Sequence, residues 1–190
     1  MPSASSARLF VALELPAVVR DALRAWRGPL VREGSALRAV APEALHATLC
    51  FLGQRPLADV AAIGAAVRAC AAPARGLSLG EPLWLPRRRP NALALALDDG
   101  RGELGALQAA VAASLVVGGW LRAEQRHFLP HVTVARVRGG RNAADARALM
   151  RLDMPPVPGL AFDGSALTLY RSHLGGGGAR YEPLARAVLG

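Results

Sequence analysis

Two segments of the chain, Leu45-His46-Ala47-Thr48-Leu49 and Pro130-His131-Val132-Thr133-Val134, carry one pattern: His-x-Thr between apolar residues. The pattern sits inside a larger repetition. Strand-like runs begin at 8 and 91, helix-like stripes at 16 and 102, the motif His fall at 46 and 131, and further helix-like stripes begin at 57 and 142. The offsets lie between 83 and 86 residues, so a strand–helix–strand–helix order is laid down twice at near-constant spacing. Residue identity between the halves is weak; spacing and pattern carry the inference. They predict a single domain, 1–190, made of two similar α+β lobes, about 8–72 and 91–151. The lobes are related by a pseudo-two-fold, each with an antiparallel or mixed sheet, helices outside, and a shared cleft between them.

The local signals agree with that order. Residues 8–15 read as a strand, and Pro16 opens a helix to about Arg27 with Val19, Leu23 and Trp26 on one stripe. Residues 45–52 form a strand ended by Gly53, followed by a helix from about Leu57 to Ala72 that turns Val60, Ile63, Val67 and Cys70 inward. In the second half, 91–97 is a strand, 102–117 a helix carrying Leu104, Leu107, Val111 and Leu115, and 129–137 the second motif strand. Asn142 caps a last helix through about Arg151. Outside the repeat, 77–85 pairs with 91–97 across Pro86–Pro90, and 166–171 pairs with 180–188 across a Gly-rich loop. The Pro-rich stretch 155–158 reads as a linker.

Composition narrows the chemistry. The 190 residues are 52% hydrophobic, which argues against disorder, yet no apolar run reaches the length of a membrane span. The start lacks a basic segment followed by a long apolar one, so a cytoplasmic protein is expected. The net charge is +9, and all 23 basic residues are Arg. Arg offers a planar fork for phosphate oxygens and a face that stacks on bases. A chain without Lys performs no Schiff-base chemistry, no nucleotidyl transfer through an adenylated Lys, and no Lys-dependent phosphate-loop chemistry. Cys50 and Cys70 have no metal-like spacing and read as reduced thiols.

In a strand, residues i and i+2 share a face. His46 and Thr48 therefore point one way and Ala47 and Leu49 the other; His131 and Thr133 repeat the arrangement. Two imidazoles and two hydroxyls converging on a cleft suit a phosphodiester. One imidazole takes a proton from attacking water, the other returns one to the leaving oxygen, and both forms exist near neutral pH. The Thr hydroxyls hold the non-bridging oxygens. This chemistry needs no metal or other cofactor. His127 and His131 are four apart, but Pro130 opposes a helix, and in a strand they lie about 13 Å apart, too far to share an ion.

The paired motif resembles the signature of the 2H phosphoesterases. The surrounding text is similar to their bacterial RNA 2′,3′-cyclic phosphodiesterase branch, the LigT-like or 2′-5′ RNA ligase family. The resemblance rests on Arg8-Leu-Phe-Val-Ala-Leu13, His46 to Gly53, Arg126 to Arg136, Leu167 to Ser172 and Ala179 to Leu184. It implies opening of an RNA 2′,3′-cyclic phosphate to a 2′-phosphomonoester without metal or ATP, with 2′-5′ joining of RNA ends as related reverse chemistry. It places catalytic roles on His46, Thr48, His131 and Thr133, and favours Arg126 and Arg136 near the phosphate or base. The implied partners are RNA with 2′,3′-cyclic phosphate ends, tRNA fragments among them, or cyclic nucleotides, bound by a monomer. The working assignment makes His131 the base and His46 the acid, although near-equivalent halves leave that polarity open. The odd offset of Arg136 from His131 points it to the opposite face unless the strand bulges. Phe10 either stacks on a base or packs in the core, Cys50 either lines the cleft floor or is buried, and Arg87-Arg88-Arg89 either guides RNA or solubilises a turn. The competing function is an RNA- or nucleotide-binding module with a vestigial catalytic cleft.

Overall fold

The computed structural model describes residues 5–33, 35–123, 126–138, 148–175 and 178–190, the side chains of 174, 175 and 178 excepted. Alternating apolar residues make β1 (Ser6–Glu14), with Leu9, Val11 and Leu13 buried beneath it. Pro16, at φ −55°, leads into α1 (Ala17–Arg27), which buries Val19, Leu23 and Trp26. There follow β2 (Leu37–Ala39), β3 (His46–Pro56), α2 (Val60–Ala69), β4 (Leu77–Leu85), β5 (Ala92–Asp99), α3 (Glu103–Val117), β6 (His131–Val137), β7 (Ala161–Phe162), β8 (Ala166–Gly175) and β9 (Gly178–Val188).

The α+β class holds, and the two halves meet within one sheet. Its order is β7-β4-β5-β6-β3-β1-β8-β9, with β2 paired to β6 off this path, and its strand pairs are antiparallel. The expected hairpins β4–β5 and β8–β9 are both present. The motif strands β3 and β6 are neighbours at the centre, joined through the pair Ala47–Val132. The helices pack on the face carrying Leu9, Leu13, Leu93 and Leu95, and contribute Leu23, Ile63, Leu104, Leu107 and Leu115 to one continuous core. Each such Leu contributes about 1.5–3 kcal/mol by leaving water, which leaves the opposite face of the sheet free to carry polar groups.

Some boundaries differ from the sequence pattern. Gly53 does not end β3; at φ +70° it sits beside a register shift against β1, and the strand runs on to Pro56. Leu57–Asp59 forms a 3-10 turn, so α2 is shorter than the apolar stripe. Strands β2 and β7, three and two residues long, are too short to show a period. The Asn142 cap lies outside the described residues; Ala148 and Leu149 are helical. The Pro-rich linker is anchored: Trp26 Nε1 donates to the Pro155 carbonyl at 3.0 Å.

Candidate active site

The central pair organises the site. Ala47 and Val132 are fully buried on the core face, so their neighbours His46, Thr48, His131 and Thr133 emerge on the other face. Antiparallel register about this pair sets His46 level with Thr133 and Thr48 level with His131. All four line one cavity of about 660 Å³.

The two imidazoles are held alike. His46 Nδ1 donates to the carbonyl of Ala44 at 2.8 Å, and His131 Nδ1 to that of Leu129 at 2.8 Å. Each tether places the ring proton on Nδ1 and leaves Nε2 as the nitrogen without a ring hydrogen. His46 Nε2 lies 3.1 Å from Thr48 Oγ1, close enough to accept its hydroxyl proton.

Both motif strands also bulge at the same place. Against β1 the register skips Leu49, and against β5 it skips Val134. Each bulge inverts the face of the residues that directly follow it. Arg136 is thereby brought to the cleft in spite of its odd offset, and it lines the cavity. In β3 the same step buries Cys50, 5% exposed, and puts Phe51 on the cleft face. Of the two readings of Cys50, the buried one holds, and burial pushes its thiol up to about 11. Phe51 is thus the register equivalent of Arg136. The signal that would have found it is its position five residues after His46.

The surroundings of the two His differ. Phe10 shares the cleft face but is only 2% exposed. Its ring lies 5.0 Å from that of His46, 5.3 Å from Tyr170 and 4.9 Å from Tyr181, with Phe51 stacked at 6.2 Å. Tyr181 meets His46 edge-on at 5.2 Å. Beneath this nest Glu14, the cross-strand partner of His46, accepts from Thr168 Oγ1 at 2.7 Å, Tyr170 Oη at 3.0 Å and Arg186 through two nitrogens. Burial works to raise the Glu14 carboxyl, but the hydrogen bonds from Arg186, Thr168 and Tyr170 win and hold it below the ordinary range. Burial likewise raises the Tyr170 hydroxyl, reinforced by Glu14. On the His131 side the equivalent positions are small: Ala96 stands opposite His131, Ala94 opposite Thr133 and Ala92 opposite Arg136. Burial pushes the His46 imidazole down to about 4, with Arg136 and His131 adding to the effect against the Ala44 hydrogen bond.

The remaining candidates are dispersed. Arg126 and His127 are exposed in the segment before β6 and do not line the cavity. His173 donates from Nε2 to Glu182 at 2.7 Å. Arg87, Arg88 and Arg89 are exposed at the tip of the β4–β5 hairpin. Among the described residues, no three His, Cys, Asp or Glu side chains gather as a metal site, and no helix is long and apolar enough to cross a membrane.

A pair of His-x-Thr strands meeting back to back over one cleft defines a 2H phosphoesterase. Comparison with known proteins agrees. Residues 15–176 match the family model of the 2′-5′ RNA ligase superfamily. The chain is 30% identical to the RNA 2′,3′-cyclic phosphodiesterase of Escherichia coli, over 96% of each chain. The apo crystal structure of E. coli LigT superposes with a TM-score of 0.75 at 27% identity, covering 97% of this chain and 98% of that one. LigT complexed with 3′-AMP gives 0.74 at 26% identity, covering 97% and 99%. The chain belongs to the 2′-5′ RNA ligase superfamily, and its curated relatives there are RNA 2′,3′-cyclic phosphodiesterases.

Proposed function

We propose that this protein hydrolyses the 2′,3′-cyclic phosphate at RNA ends to a 2′-phosphomonoester, in the cytoplasm and as a monomer, by acid–base catalysis without metal or ATP. The observation that carries the reading is the shared face of His46, Thr48, His131 and Thr133 about the Ala47–Val132 pair, with both Nδ1 atoms tethered to carbonyls and both Nε2 atoms left for the substrate. Water attacks phosphorus as His131 Nε2 takes its proton. The P–O3′ bond breaks as His46 Nε2 delivers a proton to the departing 3′ oxygen, leaving a 2′-phosphate and a free 3′-hydroxyl. Thr48 and Thr133 donate to the non-bridging oxygens, and Arg136 supplies charge beside them. Arg126 reaches the RNA from the segment before β6.

The aromatic nest supports this polarity. Phe51, 50% exposed, and Tyr181 offer stacking faces on the His46 side. A nucleoside stacked there, with Phe10 beneath, puts its ribose oxygens beside His46, while the open, Ala-lined side of His131 admits water. An imidazole held neutral by burial acquires its proton as the phosphate anion enters, and is then charged to serve as the acid. The family's name supports 2′-5′ joining of RNA ends at the same site, with a 5′-hydroxyl attacking phosphorus in place of water and the 3′ oxygen leaving as before. The test is product analysis with a cyclic-phosphate-ended RNA in EDTA at neutral pH. A 2′-phosphate is expected; absence of turnover overturns the reading.

A further inference from the structure

A carboxylate faces His46 from the next strand, and the mechanism does not use it. Glu14 is the direct partner of His46 across β1 and β3, where side chains on one face stand about 4.5–5.5 Å apart at Cβ. An anion so close to an imidazole favours the protonated ring. Here the hydrogen bonds go elsewhere. His46 Nδ1 is tied to the Ala44 carbonyl, and Glu14 accepts from Thr168, Tyr170 and Arg186. Arg186 Nε reaches both carboxylate oxygens, at 3.0 and 3.1 Å, and its Nη2 reaches Oε2 at 3.0 Å. Neither Glu14 nor Arg186 lines the cavity. The other half has no such pair, since Ala96 stands opposite His131. A positive charge is thus brought from β9 to cancel a negative one beside one imidazole alone. The other groups around His46 do not supply that anion. From β6, His131 and Arg136 both oppose a proton on it. The remaining cations of the cleft, Arg8, Arg27 and Arg38, have the same sign; Arg27 Nη1 is held by the Val134 carbonyl at 2.8 Å. Tyr170 of β8 and Tyr181 of β9 offer rings, and Glu43, in the turn before β3, is exposed and off the cavity.

We propose that Arg186 is a positioning residue for the reaction: by neutralising Glu14 it leaves His46 without a proton in the empty cleft, so that the substrate's phosphate is the anion that draws one in from solvent. The proposal rests on the reading of His46 as the acid. The rings of Phe10, Tyr170 and Tyr181 exclude the water that would screen an uncompensated Glu14. With Arg186 absent, His46 holds its proton more tightly before the substrate arrives and yields it less readily to the 3′ oxygen. Burial acts in the same sense as Arg186, against the proton.

Histidine NMR of the free protein tests this apart from catalysis. The chain has four His, and the His46 resonance is the one absent from His46→Gln. In Arg186→Gln, at an exposed position, the titration of His46 is expected to move up by about one pH unit or more, a tenfold gain in proton affinity. Arg186→Lys keeps the charge and should titrate like the wild type. The double variant Glu14→Gln/Arg186→Gln removes both charges and should do the same. Glu14→Gln alone leaves Arg186 uncompensated and should move the titration down. Melting temperatures of all four confirm folding; a merely structural role for the ion pair would lower them without making the titration follow the charge. An unmoved His46 in Arg186→Gln, an equal rise in the double variant, or a rise in Glu14→Gln overturns the proposal. Failure of the wild type to hydrolyse cyclic ends overturns the functional reading and leaves the titration result to stand by itself.

Discussion

His46 ties catalysis to stability in a way that acid unfolding exposes. Folding moves its imidazole from an ordinary value of 6.5 to about 4, chiefly by burial among Phe10, Tyr170 and Tyr181. A base whose value falls on folding binds fewer protons in the native state, so the protein loses stability as pH drops from above 6.5 towards 4. Between pH 7.5 and pH 5 the unfolded ring gains nearly a full proton and the folded ring only a tenth, a loss of about 2 kcal/mol. Glu14 works in a lower window: its value is lowered by folding, so its contribution is present above the ordinary carboxylate value and fades below it. The perturbation is His46→Gln, which cannot take the proton. Urea unfolding of both proteins at pH 7.5, 6 and 5 should give a wild-type curve that falls about 2 kcal/mol more than that of the variant. Parallel curves would show that the nest does not desolvate His46, and the electrostatic argument for its role as an acid would go with it.

Other outcomes follow from the same geometry. His131→Ala should lower kcat by about 100-fold or more on all substrates, whereas His46→Ala should lose less on a phosphodiester whose leaving group needs no proton; equal losses by His46→Ala on good and poor leaving groups defeat its assignment as the acid. Thr48→Val and Thr133→Val should each cost about 100-fold in kcat, measured at saturating substrate, by removing a donor to the developing charge. In His131→Ala, binding of adenosine 2′,3′-cyclic phosphate near pH 7 should take up close to one proton, read by calorimetry in buffers of different ionisation enthalpy; none would mean that His46 stays neutral in the complex. Gly64 on α2 lies where an added Cβ would meet Ala185 of β9 at 2.9 Å, so Gly64→Val should destabilise the fold by about 1–3 kcal/mol with the activity per folded molecule unchanged.

Much of the site was legible because strand periodicity is strict. Once His46 and Thr48 were put on a strand, their common face followed, and the buried Ala47 and Val132 confirm which face is core. The spacing of the halves likewise located the strands that flank each motif. What the pattern did not show were the bulges. A skipped residue leaves no mark when both it and its neighbour are apolar, as Leu49-Cys50 and Val134-Ala135 are. Parity counted through them sends Arg136 to the wrong face and hides Phe51. The cation set was obscured for another reason. Arg27 completes a helix stripe that reads as Val19, Leu23 and Trp26, and nothing local distinguishes a buried Arg beside Trp26 from an exposed one. Its place is fixed by a carbonyl more than a hundred residues away.

A two-fold arrangement of acid–base groups is a poor enzyme for a directional reaction unless something breaks its symmetry, since hydrolysis needs one imidazole without a proton and the other with one. Here the tethers are alike: both rings donate Nδ1 to the carbonyl two residues back, and both strands bulge at the same step. The break lies one strand outward. Register equates Phe10 with Ala92, Glu14 with Ala96, and Phe51 with Arg136. Rings and a saturated carboxylate on one side desolvate His46 and offer faces to a base; alanines and a guanidinium on the other keep His131 open and attract phosphate. On the proposed polarity, the side that stacks the nucleoside is the side of its leaving oxygen, and Arg136 stands on the side from which water attacks. In the proposed mechanism the direction of the reaction is set by residues that make no proton transfer, and exchanging Phe10 for the alanine of the other half should bring the effects of His46→Ala on good and poor leaving groups closer together before it abolishes activity.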